Sequence, residues 1–133
     1  MLRMSAIPIG AKMERHVAVT DENAISFLGH NEARVLATPW LIANLEWAAR
    51  DAVKPYLLDG YDTVGTQVNV RHLAATPIGM QARFYAEVTA IDDRMVSFRV
   101  EAWDEKEKIG EGTHERAVIN IERFARRVQS KRS

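Results

Sequence analysis

Residues 37–53, ATPWLIANLEWAARDAV, place apolar side chains on nearly every side of a helical turn. That pattern predicts a helix enclosed by other structure rather than one with a single wet face. Thr38 stands where a capping residue belongs, Pro39 suits the first helical position, and Pro55 ends the helix near Val53. After the helix the period changes to two. In DTVGTQVNVRHL, residues 62–73, Val64, Thr66, Val68, Val70 and His72 share one face, with Thr63, Gly65, Gln67, Asn69 and Arg71 on the other. The first set is expected to face inward. The same alternation buries Ala82, Phe84, Ala86 and Val88 in residues 80–91, and Val96, Phe98, Val100 and Ala102 in 95–103. Asp92-Asp93 makes the turn between these two strands. A last strand is expected over residues 109–121, and a short early one over 15–19.

Such tight connections leave no room for crossovers, so neighbouring strands are antiparallel. A sheet of about five strands can curl around one helix and bury it on the concave face. The expected fold is therefore α+β, the hot-dog arrangement, in a single domain over residues 1–133. One layer of strands leaves edges and part of the helix uncovered, which predicts at least a homodimer.

The bulk numbers narrow the function classes. A chain of 133 residues supports one core. Its 18 basic and 18 acidic side chains cancel, which argues against a nucleic-acid partner recognised through bulk charge. Residues 121–133 are locally basic and read as a fraying terminus. Absence of cysteine removes disulfides, thiolate metal sites and cysteine nucleophiles, and it suits a cytoplasmic protein. The N-terminal stretch has no signal-peptide run, and no segment approaches the ~20 apolar residues of a membrane span, so no membrane partner is expected.

Glu46 interrupts the apolar helix, beside Leu45, Trp47 and Ala49. Helix propensities differ by only tenths of a kcal/mol, whereas enclosing an unpaired carboxylate costs several, so propensity does not explain the placement. Enclosure disfavours the anion and tunes a carboxylate toward general-base work near neutral pH. His72, on the face expected to meet the helix, is its natural companion. Thr38 is a normal cap, but a helix start also favours developing negative charge. His114 and Arg116 share a face of the last strand, where a solvated or interface position is the default. No histidine pair has ligand spacing, so the sequence offers no metal site.

Together, ATPWLIANLEWA, VGTQVNVRHLAATPIG and IGEGTHERAVINIERF resemble the hot-dog acyl-CoA thioesterases of the fluoroacetyl-CoA thioesterase family. The likeness spans residues 38–124: a Thr and a Glu eight apart, a His 26 residues further on, and the G-T-H-E-R segment. It implies hydrolysis of an acyl-CoA thioester by Thr38, Glu46 and His72, with Gly65 and Arg116 at the substrate. Coenzyme A would enter as part of the substrate, and no other cofactor is implied. Glu46 would act as base or as nucleophile, and the residues leave both routes open. Thr38 and Glu46 would lie about 12 Å apart along a continuous helix, which favours a site at a dimer interface. One departure matters: residues 29–36, GHNEARVL, are short and polar where the fluoroacetyl-specific enzyme carries a longer lid rich in aromatics and prolines. That argues for another acyl group. A non-catalytic acyl-CoA binding module is the alternative, and it would not need His72.

Overall fold

The alternating segments form one antiparallel sheet. In chain order the strands are β1 (Lys12–Ala18), β2 (Tyr61–His72), β3 (Gln81–Asp92), β4 (Met95–Trp103) and β5 (Lys108–Asn120). In space they run β1-β3-β4-β5-β2, which makes β1 and β2 the edges. This computed structural model describes residues 6–132, so the first five residues of the N-terminal stretch and Ser133 of the basic tail lie outside it. Among the described residues, no helix is long and apolar enough to cross a membrane.

The helix α1 (Thr38–Val53) lies on the concave face of this sheet. Leu41, Leu45, Ala48, Ala49, Ala52 and Val53 pack there against Phe84, Val88, Phe98, Val100, Ile109 and Val118, all at most 3% exposed. Each large side chain so buried contributes ~1.5–3 kcal/mol. Gly110 admits the helix closely, since a Cβ there would stand 3.2 Å from Leu41 Cδ1. The far side of α1 stays open. Trp40 and Trp47 are 40% and 42% exposed, edge to face with centroids 6.2 Å apart. The full enclosure expected of this helix therefore does not occur within one chain, because a single sheet layer covers only one side of it.

Two further expectations are corrected. In β2 the register slips between Gly65 and Gln67 against β5, a bulge that inserts one residue. Parity changes there: Thr63 and Gly65 meet side chains of the concave face, whereas Val70 and His72 do so beyond the bulge. Strict alternation had put Gly65 outward. The basic stretch read as a fraying tail is instead helical, α2 (Ile121–Ser130), because the Asn120 side chain caps it by accepting from the Arg123 N–H at 3.0 Å. No residue of α2 is buried.

A buried polar staple ties the loop before β3 to the β4–β5 turn. The Thr76 hydroxyl donates to Asp104 Oδ2 at 2.9 Å, while Oδ1 accepts from the N–H groups of Lys106 and Glu107 at 2.7 and 2.9 Å. Thr76 also accepts, through its carbonyl, from the Leu36 N–H at 2.9 Å. Burial alone would raise the Asp104 pKa, but these donors outweigh it and hold the carboxyl below its ordinary value. A depressed carboxylate contributes stability above its unfolded pKa and loses it as pH falls through the lower folded value. Asp104→Ala is therefore expected to cost about 1–3 kcal/mol in urea unfolding at pH 7. That cost should shrink in acid; an equal cost at pH 7 and pH 3 would show that the charge is not its source.

Candidate active site

Helix α1 begins one residue earlier than a threonine cap would require. Ala37 is the N-cap, with no side-chain cap bond, and Thr38 is already helical. This corrects the capping role expected of Thr38 and leaves its hydroxyl available elsewhere. Thr38 Oγ1 lies 2.7 Å from His72 Nδ1, at the end of β2. His72 Nε2 is buried and has no hydrogen-bond partner among the described residues. Burial lowers the His72 pKa, against a backbone contact at Ala74 that raises it, so the imidazole is neutral at pH 7. Both side chains line a cavity of ≈ 400 Å³ whose other walls include Ile25, Phe27, Val35, Leu36 and Leu73. A neutral hydroxyl–imidazole pair thus faces an apolar recess.

Glu46 belongs to a second cluster. Its side chain is 35% exposed, and Oε2 lies 3.5 Å from Arg116 Nη1. The enclosed carboxylate that the helix pattern predicts is thus absent from the single chain. Arg116 is 6% exposed, and its Nε and Nη2 donate to the Thr63 hydroxyl and carbonyl at 2.7 and 2.9 Å. Burial lowers the arginine's pKa, and Glu46 opposes that shift, with Asp62 helping. Gly65 is the floor beneath the carboxylate, because a Cβ at this position would stand 2.5 Å from Glu46 Oε2. Only a residue without a side chain leaves the carboxylate where it is.

The candidate residues therefore gather in two groups. Thr38 joins His72, and Glu46 joins Gly65 and Arg116. One chain does not unite them, since eight helical residues separate Thr38 from Glu46 by about 12 Å. Within one protomer Glu46 contacts Arg116 while His72 contacts Thr38. His114 and Arg116 are buried rather than solvated, at 3% and 6% exposure. Thr63 and His114 were not read as site residues. The His-x-Arg spacing on β5 was the available signal, and the apolar Ile109, Ala117 and Ile119 on the other face of the strand hid it, although His114 and Arg116 pair with the buried Phe98 and Val96 of β4. A larger cleft of ≈ 480 Å³ opens on the outer face of the sheet among Arg71, Arg99, Glu101, Lys108 and Glu111, and it holds none of the candidate residues.

The family described as fluoroacetyl-CoA-specific thioesterase matches residues 19–122. A fluoroacetyl-CoA thioesterase from Streptantibioticus cattleyicolor is 43% identical over 97 residues, covering 73% of this chain and 70% of that protein. A solved fluoroacetyl-CoA thioesterase superposes with a TM-score of 0.85 at 34% identity, covering 95% of this chain and 98% of that one. Variants of that enzyme have been solved in complex with acetyl-CoA and with fluoroacetate and CoA. A hot-dog-like protein from Thermanaerovibrio acidaminovorans shares the fold with a TM-score of 0.85 at 19% identity, over 94% of this chain and 93% of that one.

Proposed function

The chain belongs to the fluoroacetyl-CoA-specific thioesterase family and is an acyl-CoA thioesterase, and from that premise we propose that Thr38 and His72 of one protomer work with Glu46 of its partner. The observation that carries this reading is the 2.7 Å contact between Thr38 and His72, set against the helical distance that keeps Glu46 away. A two-fold dimer that covers the exposed face of α1, where Trp40 and Trp47 lie, brings the second group to the first.

In this scheme Glu46 takes a proton from water, or attacks the carbonyl carbon itself. Both routes need the ionised carboxylate. The thioester carbonyl becomes a tetrahedral oxyanion, held by a backbone N–H at the start of α1 or near Gly65; such donors contribute about 2.7–4 kcal/mol each. The carbon–sulfur bond breaks, and His72 relays to the departing thiolate the proton taken from water, giving the free acid and CoA; on the nucleophilic route the acyl group first rests on Glu46 as an anhydride, which water hydrolyses to the free acid and the regenerated carboxylate. Thr38 orients the imidazole. Gly65 and Arg116 sit at the substrate beside Glu46, and coenzyme A is present only as part of the substrate.

The acyl pocket differs from a closed lid. Residues 29–36 hold one 3-10 turn, Asn31–Ala33, none of whose residues is buried, and Phe27 is 79% exposed. With Ile25, Val35, Leu36 and Leu73 as walls, the recess suits an apolar acyl group better than a selective grip on fluoroacetyl.

Subunit mixing tests the two-protomer site. Glu46→Gln and His72→Asn chains are each expected to be nearly inactive alone. Unfolded and refolded together in equal amounts, they should recover about a quarter of the wild-type rate, because half the dimers are hybrids with one intact site. No recovery from dimers shown to be hybrid would place the site within one chain.

A further inference from the structure

We infer that His114 is a positioning residue, which locks the Arg116 guanidinium in the orientation that holds the Glu46 carboxylate. The inference rests on Glu46 being the catalytic carboxylate, as proposed above.

His114 Nδ1 is 2.8 Å from the Gln67 carbonyl oxygen, which only accepts, so Nδ1 carries the proton. Nε2 is 3.2 Å from Arg116 Nη1, which only donates, so Nε2 is bare. His114 is therefore the neutral Nδ1–H tautomer, fixed by its neighbours on both sides. Phe98 from β4 stacks on the ring at 5.8 Å between centroids, and with the imidazole only 3% exposed there is little room to turn.

Arg116 is then held from three directions. Thr63 takes Nε and Nη2, His114 takes one side of Nη1, and Glu46 meets Nη1 at 3.5 Å. The contact to Glu46 is the longest of the four, so that carboxylate is placed by a guanidinium whose plane the other three contacts define. The β2 bulge contributes directly, because it is the Gln67 carbonyl that fixes the tautomer. The charged groups facing His114 are Arg116 and Glu115 on its own strand and Glu46 from α1; β2 and β4 present the Gln67 carbonyl and the Phe98 ring. A proton on Nε2 would set two cations against each other and cost Arg116 an acceptor. Burial and Arg116 both disfavour that proton.

Two measurements test the role. Nitrogen NMR of the full-length protein labelled at histidine should show His114 at pH 7 with Nδ1 protonated and Nε2 bare. A protonated Nε2 would overturn the inference whatever the kinetics show. Thiol release from acetyl-CoA and longer acyl-CoAs supplies the second readout. His114→Phe keeps the ring but removes the acceptor, and it should lower kcat at least about tenfold with little change in KM. His114→Gln places an amide oxygen near the lost acceptor and should recover to within about threefold of wild type. In an Arg116→Met background, His114→Phe should cost less than about twofold more, since the two residues act as one unit. An equal loss in both backgrounds, or a Gln variant no better than Phe, would reduce His114 to a packing residue. Full turnover by Glu46→Gln would instead remove the reading on which the role depends, and the turnover of that variant tells these failures apart.

Discussion

Glu46→Gln should lower thiol release from acyl-CoA at least about a hundredfold, the scale on which a positioned general base contributes. The substitution keeps the size of the side chain and an oxygen that can face Arg116. What it removes is negative charge and basicity, so both routes proposed for Glu46 fail together. Folding should survive. The Glu46 side chain is 35% exposed, and the buried Arg116 keeps its bonds to Thr63 and His114 when the carboxylate becomes an amide. Wild type and variant should be compared over a panel running from acetyl-CoA to longer acyl groups, with thermal unfolding measured alongside. A large loss in kcat at an unchanged unfolding midpoint assigns the carboxylate to the chemistry, and the fastest substrate identifies the acyl class. Equal turnover by the two proteins would mean that another group activates water.

His72→Asn carries the second large effect, again about a hundredfold or more, because it removes the ring that relays the proton. Asparagine can still meet the Thr38 hydroxyl, so a loss here reflects proton transfer more than a broken contact. The wild-type pH profile adds a check on sign. Burial lowers the His72 pKa below its ordinary value of about 6.5, so the neutral ring persists further into acid than a free histidine would. Turnover should hold as pH falls past 6.5 and decline only through the lower folded pKa. An acid limb centred above about 6.5 would contradict a buried, neutral His72.

Much of this molecule can be read from residue order, and the exceptions share causes. Period-two alternation in residues 80–91 and 95–103 predicted the buried faces of β3 and β4, because both strands lie inside the sheet with one face on the core. Helix α1 was legible for its length and its two prolines. Its enclosure was not, because Trp40 and Trp47 stay partly exposed among the described residues. The pairing of Thr38 with His72 needed the helix to start at Thr38 itself, and boundary placement of one residue is beyond a capping rule. The face of Gly65 turned on the bulge at Gly65/Gln67, which alternation cannot foresee, and those of His114 and Arg116 on pairing with Phe98 and Val96 of β4. Helix α2 was missed because charge dominates its composition, while the cap that starts it is a single asparagine.

The bulge in β2 also bears on how this strand tolerates change. On either side of Thr66 the chain keeps opposite parities, so the strand behaves like two phrases in different reading frames joined at one extra beat. Loss of that single codon would restore unbroken alternation. It would do so with Thr63, Gly65, Val70 and His72 all keeping their faces, because Gly65 and Gln67 already pair with the consecutive residues Arg116 and Glu115 of β5. Exchanging a side chain along β2 alters one contact, whereas inserting or deleting one residue away from Thr66 re-addresses part of the strand at once. Drift in this segment should therefore run through substitutions at constant length, with a change of length tolerated best at Thr66 itself.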